Sequence, residues 1–165
     1  MMYDLLGLDV SVTSTGVVLL QQDGMLLHST RIRPGKRRGG ERLAFIQDEL
    51  HGILEGRNVA LAAVEGYSYG SKQKREALGE AGGVVRALLY RSGVTYFEVA
   101  PTTLKLYVSG NGRASKDGMR HEVSRRWGFA TRYHDIADAY GLAQLARSCH
   151  QGAEKVVKHT FFTGA

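Results

Sequence analysis

Four carboxylates occupy positions where oxygen donors from distant parts of the chain could converge. Asp9 sits in the apolar stretch Tyr3-Asp4-Leu5-Leu6-Gly7-Leu8-Asp9-Val10, and Glu65 ends the run Val59-Ala60-Leu61-Ala62-Ala63-Val64. Asp135 and Asp138 stand three apart in His134-Asp135-Ile136-Ala137-Asp138, so on a helix they share a face. A carboxylate embedded in apolar sequence is costly to bury unless it is paired or bound to a metal. Clustered carboxylates repel one another and resist ionisation unless a cation offsets their charge. An all-oxygen donor set suits Mg²⁺ or Mn²⁺ and not zinc. Two such ions about 4 Å apart can activate water and stabilise the leaving oxygen of a phosphodiester. Each acid also has a plainer explanation. Asp9 could be solvated at a strand end, and Glu65 could be a surface residue that follows a strand. Asp135 could cap a helix, and Asp138 could be a first-turn acid favoured by the helix dipole. Only the conjunction of four acids at element ends points to one metal site.

The elements that must hold these acids follow from the hydrophobic pattern. Strands are predicted over 3–10 and 15–22, and Gln21-Gln22-Asp23-Gly24 carries a hairpin signal leading into a third strand over 25–33. On the first strand Asp9 shares a face with Gly7 and Leu5, opposite Leu6 and Leu8. Gly7 leaves room for something to approach the backbone beside it. Pro34-Gly35-Lys36-Arg37-Arg38-Gly39-Gly40 reads as a basic loop. Leu43, Ile46, Leu50 and Leu54 recur at helical spacing and predict a helix over 41–55. The run 59–64 fits a strand buried on both faces, which puts Glu65 at the carboxyl edge where open α/β sheets place their sites. A helix over 73–91, a strand over 94–99, a short helix from Pro101 to Val108, and helices near 115–127 and 135–148 follow. Residues 151–165 show no period and receive no assignment. The expected architecture is an α/β domain over 1–150, with three antiparallel strands, then parallel ones, in a mixed five-stranded sheet flanked by helices. Residues 151–165 form a tail and not a separate domain.

Lys and Arg number 22 against 16 Asp and Glu, a formal charge of +6, which suits a polyanionic partner such as nucleic acid. Lys36, Arg37, Arg38, Lys72, Lys74, Arg75, Arg113 and Lys116 lie in or beside loops, with Arg120, Arg125, Arg126 and Arg132 nearer the last acids. Such groups bind phosphates and make affinity fall with salt, although any one of them alone reads as a solvated surface charge. Tyr67 and Tyr69 could stack on unpaired bases or serve as core aromatics. Gly82-Gly83 inside the 73–91 helix marks close packing, either within the chain or against a second subunit across a two-fold axis. His134 could assist proton transfer, open the last helix, or contact DNA. The single cysteine, Cys149, excludes an internal disulfide and fits a reducing compartment. No run spans a membrane and the first residues lack a signal-peptide pattern, so the expected location is the cytoplasm.

Taken in order, four sets of residues resemble a known family. They are Gly7-Leu8-Asp9 with Thr15-Gly16; Ala63-Val64-Glu65-Gly66-Tyr67; Glu98-Val99-Ala100-Pro101 with Leu104-Lys105 and Gly112-Arg113-Ala114-Ser115-Lys116; and Asp135-Ile136-Ala137-Asp138-Ala139. The set is similar to the motifs of the RuvC-type Holliday-junction resolvases of the ribonuclease H-like superfamily, the second motif especially to bacteriophage members. The similarity spans residues 3–148. The resemblance implies a metal tetrad of Asp9, Glu65, Asp135 and Asp138 holding two Mg²⁺ ions, with Mn²⁺ as a substitute. It implies that Lys105 and Lys116 contact the scissile region or offset transition-state charge. It further implies a homodimer that nicks two strands of like polarity in a four-way junction, leaving 5′-phosphate and 3′-hydroxyl ends. Such an enzyme needs no nucleotide cofactor and works in the cytoplasm of a bacterium or a phage-infected host. Two stretches depart from the pattern. Val10-Ser11 stands where bacterial members usually carry Pro-Gly, and the segment from Gly66 to Lys72 differs from theirs, which leaves room for a broader choice of branched DNA.

Two other classes compete. An ATP-binding protein of the actin and sugar-kinase type also carries Gly-Leu-Asp followed by Thr-Gly, but this chain is short and has no second glycine-rich phosphate loop. A non-catalytic DNA-structure binder would share the basic loops.

Overall fold

A six-stranded sheet runs in the order β3-β2-β1-β4-β5-β6 through the middle of the computed structural model, which describes residues 1–66, 72–152 and 161–162. Its strands are β1 (Asp4–Asp9), β2 (Thr15–Gln21), β3 (Leu26–Ile32), β4 (Val59–Glu65), β5 (Tyr96–Val99) and β6 (Phe161–Phe162). The helices are α1 (Gly39–Leu54), α2 (Lys72–Arg91), α3 (Pro101–Ser109), α4 (Lys116–Trp127) and α5 (His134–His150). β1 to β3 form an antiparallel meander, while β4 runs parallel to β1 and β5 parallel to β4. The five expected strands and five expected helices all form, and the expected mixed five-stranded sheet is present.

Phe161 and Phe162, in the stretch without a detectable period, add a short sixth strand antiparallel to β5. A two-residue strand has no period to detect, and it forms because β5 would otherwise present unpaired backbone groups at the sheet edge.

The period-2 alternation of the strands splits the core in two. Leu5, Val18, Ala63 and Phe97 pack on the side covered by α3, α4 and α5. Leu6, Leu8, Val17, Leu19 and Val64 pack on the side covered by α1 and α2. α5 is buried on nearly every side, from Ile136 and Ala137 to Leu145 and Ala146, as befits a central helix. Its backbone touches the sheet itself. A Cβ on Gly7 would lie 2.0 Å from the Ala139 carbonyl oxygen, and one on Gly16 would lie 2.2 Å from that of Asp135. The approach anticipated beside Gly7 is therefore made by α5. Two shorter helices pack against it. Pro101 opens α3 and Gly110 closes it in the left-handed conformation. Ser115 caps α4 by accepting from the Gly118 N–H at 3.0 Å, a contact that typically stabilises a helix by about 1 kcal/mol. Among the described residues no helix is long and apolar enough to cross a membrane.

Candidate active site

Asp9 is the last residue of β1 and Glu65 the last of β4. The two strands are parallel neighbours with Leu8 opposite Val64, so both carboxylates emerge side by side at the carboxyl edge. Asp138 reaches them from the first turns of α5. One carboxylate oxygen from each of Asp9, Glu65 and Asp138 lies within 4.8 Å of the others. They line a cavity of about 520 Å³ whose wall also carries Asp135, Lys105 and Lys116.

This proximity has an electrostatic cost. Burial, a hydrogen bond with Glu65, and the charges of Glu65, Asp138 and Asp135 hold the Asp9 carboxyl well above its ordinary range. Burial and the Glu65 charge push Asp138 up to about 7, against the opposing pull of Lys105 and Lys116. The protein's own cations thus leave the acids only partly neutralised. A divalent cation is the group that relieves such a cluster. Three hard oxygen donors converging from two strands and a helix fit one of the Mg²⁺ or Mn²⁺ type.

Asp135 lines the same cavity but lies outside the group of three. Its Oδ2 accepts from Arg31 Nε at 2.7 Å and from the Ser14 hydroxyl, and its Oδ1 accepts from the Ile136 N–H at 3.0 Å. Arg31 and Ser14 are the residues that sequence reasoning missed. The available signal was a charged residue in a strand that pairs with Gly16, at the level where the acids lie.

The remaining candidates fall in several places. Lys105 on α3 and Lys116 at the start of α4 line the cavity. So does Arg132, whose guanidinium donates to the Tyr133 hydroxyl at 2.6 Å. His134 lines it too, with Nε2 3.9 Å from Asp117. Lys36, Arg37 and Arg38 are exposed on the β3–α1 loop, and Lys72 and Arg75 are exposed on the first turn of α2, all outside the cavity lining. Arg113 is exposed between α3 and α4. Tyr67 and Tyr69 lie outside the described residues, as does the side chain of Lys74. Arg120 and Arg126 donate to the Thr131 and Val108 carbonyls at 3.1 and 3.0 Å, and Arg125 pairs with Glu122 at 2.7 Å. Arg120 and Arg126 thus tie α4 to neighbouring segments, while the Arg125–Glu122 pair lies within α4 itself.

A meander followed by parallel strands, with acids from β1, β4 and a central helix meeting at one edge, defines a ribonuclease H-like protein. A family model described as crossover junction endodeoxyribonuclease RuvC matches residues 5–146. The chain belongs to the RuvC family. A crossover junction endodeoxyribonuclease RuvC of Anaeromyxobacter dehalogenans is 35% identical over 148 residues, covering 86% of this chain and 80% of that protein. One from Chloroflexus aggregans is 33% identical over 146 residues, covering 84% and 88%. The structure of Thermus thermophilus RuvC aligns with a TM-score of 0.72 at 25% identity, covering 92% of this chain and 97% of that one. That of T. thermophilus RuvC in complex with Holliday junction substrate aligns with a TM-score of 0.78 at 23% identity, covering 91% and 96%. Membership of this family removes the ATP-binding reading.

Proposed function

We propose that this protein is a divalent-metal-dependent endonuclease that resolves Holliday junctions, with other branched DNA as further substrates. The observation that carries the reading is the convergence of the Asp9, Glu65 and Asp138 carboxylates within 4.8 Å at the carboxyl edge of the sheet. Asp9, Glu65 and Asp138 hold Mg²⁺, with Mn²⁺ as a substitute, and Asp135 is the fourth acid available to a second ion. A bound pair of ions would supply an activated water and charge stabilisation for the leaving oxygen of a phosphodiester. The chain's own share is positional. Two strand ends and one helix fix the acids on rigid elements. Lys105 and Lys116 line the same cavity, where they offset the negative charge of a phosphate entering it. The exposed basic groups Lys36, Arg38, Lys72, Arg75 and Arg113 meet backbone phosphates outside it. A homodimer supplies two such sites, as two cuts in strands of like polarity require, in the cytoplasm of a bacterium or a phage-infected host.

The test sets a mobile four-way junction, a Y-fork and a linear duplex side by side with Mg²⁺ or Mn²⁺. The junction is expected to yield paired nicks with 5′-phosphate ends, while the linear duplex stays intact. Binding that ignores Mg²⁺, with no nick under either metal, would leave a DNA-structure binder in place of an enzyme.

A further inference from the structure

We propose that Arg31 is a positioning residue that competes with bound cation for Asp135, so that the fourth acid joins the metal site only when Arg31 releases it. The inference rests on the reading of Asp9, Glu65 and Asp138 as metal ligands. It starts from a difference among the four acids. Asp9, Glu65 and Asp138 face one another, whereas both oxygens of Asp135 are already engaged. Arg31 Nε and the Ser14 hydroxyl meet its Oδ2, and the Ile136 N–H meets its Oδ1.

Arg31 is itself held from several sides. Its Nε lies 3.1 Å from Ser14 Oγ, and its guanidinium carbon stands 4.3 Å over the Tyr133 ring. It projects from β3 opposite Gly16, the residue whose missing Cβ lets the first turn of α5 settle on β2. Arginine and acid therefore meet because three elements are locked together there. The pair is largely shielded, with side-chain exposures of 26% for Arg31 and 13% for Asp135, so solvent and salt screen it weakly. A charge-assisted hydrogen bond of this kind is about twice as strong as a neutral one. A cation that takes Asp135 displaces this bond and leaves a shielded guanidinium with Ser14 and Tyr133 but without its carboxylate. The free protein accordingly offers a cation three acids and withholds the fourth.

Mn²⁺ titrations of the full chain without DNA, followed by electron paramagnetic resonance of the free ion, test this. Wild type is compared with Arg31→Met, Arg31→Lys, Asp135→Asn and the Arg31→Met/Asp135→Asn double variant. Arg33→Met, which removes an exposed charge one residue beyond β3, serves as the control. Arg31→Met is expected to bind the weaker ion about tenfold more tightly, the minimum expected from losing a charged hydrogen bond, or to gain a second ion. Arg31→Lys and Arg33→Met are expected to behave as wild type, and the tightening is expected to vanish in the double variant. Unchanged binding in Arg31→Met overturns the proposal, and so does tightening that survives without Asp135 or is matched by Arg33→Met. Should Arg31→Met fail to fold, Ser14→Ala keeps the arginine but removes one partner of Asp135. It must then tighten binding in the same direction. Binding that Asp9→Asn abolishes but the Arg31 and Ser14 variants leave unaltered overturns this inference alone. Absence of binding in wild type overturns the metal reading as well.

Discussion

Asp9 and Asp138 carry the predictions that belong to single residues. Asp9→Asn keeps the size of the side chain and removes the charge that would face the metal. Cleavage of a four-way junction should fall by about a thousandfold, equivalent to roughly 4 kcal/mol of transition-state stabilisation, while junction binding persists in gel shifts. Asp138 predicts a pH dependence. Its carboxyl ordinarily titrates at 3.8 and is pushed up to about 7 in the fold, so the folded state retains a proton that the unfolded chain gives up. The stabilisation from this group is complete below its ordinary value and is lost as the pH rises through about 7. In the presence of a chelator, wild type should therefore lose about 2–3 kcal/mol relative to Asp138→Asn between pH 5 and pH 8.5, measured by urea unfolding. An equal slope in both proteins would show that Asp138 is ionised throughout.

Among the elements, α5 has the strictest demands, because its backbone lies on β1 and β2. Gly7→Ala would drive a methyl group to 2.0 Å from the Ala139 carbonyl and 2.5 Å from the Ala143 nitrogen, both backbone atoms that cannot rotate away. A loss of about 3 kcal/mol in chemical denaturation is expected, together with impaired cleavage, since the helix that moves carries Asp138. Stability within 1 kcal/mol of wild type would show that α5 can slide without cost. The same contacts explain what could be read in advance. Asp9 and Glu65 were legible because each closes an apolar strand, and strand ends announce themselves locally. The glycine beside Asp9 signalled a close approach, but not which element makes it. α1 begins earlier than its apolar spacing suggested, since Arg38 provides no side-chain cap to mark its start. The Arg31–Asp135 pair joins residues 104 positions apart through hairpin register and a helix docking angle, and neither is written in any local pattern.

For the whole molecule, the charge distribution separates two kinds of basic group. Arg37 donates to the Pro34 carbonyl at 3.0 Å and lies 4.1 Å over the Phe45 ring, so it fastens its own loop to α1. Lys36 and Arg38 are exposed beside it. If they meet DNA, Lys36→Ala with Arg38→Ala should lower the slope of log affinity against log salt by about 2, measured on junction DNA with the metal withheld. An unchanged slope would place the DNA path elsewhere. The same outlook applies to the far rim of the sheet, where Phe161 and Phe162 pair with Phe97 and Tyr96. A chain shortened to end at residue 152 would retain the acids and every helix, yet bare the outermost ladder. Its expected fault is self-association through that rim, seen as concentration-dependent light scattering at unaltered helicity. On that outcome β6 would serve as a guard against clumping, a duty separate from any chemistry.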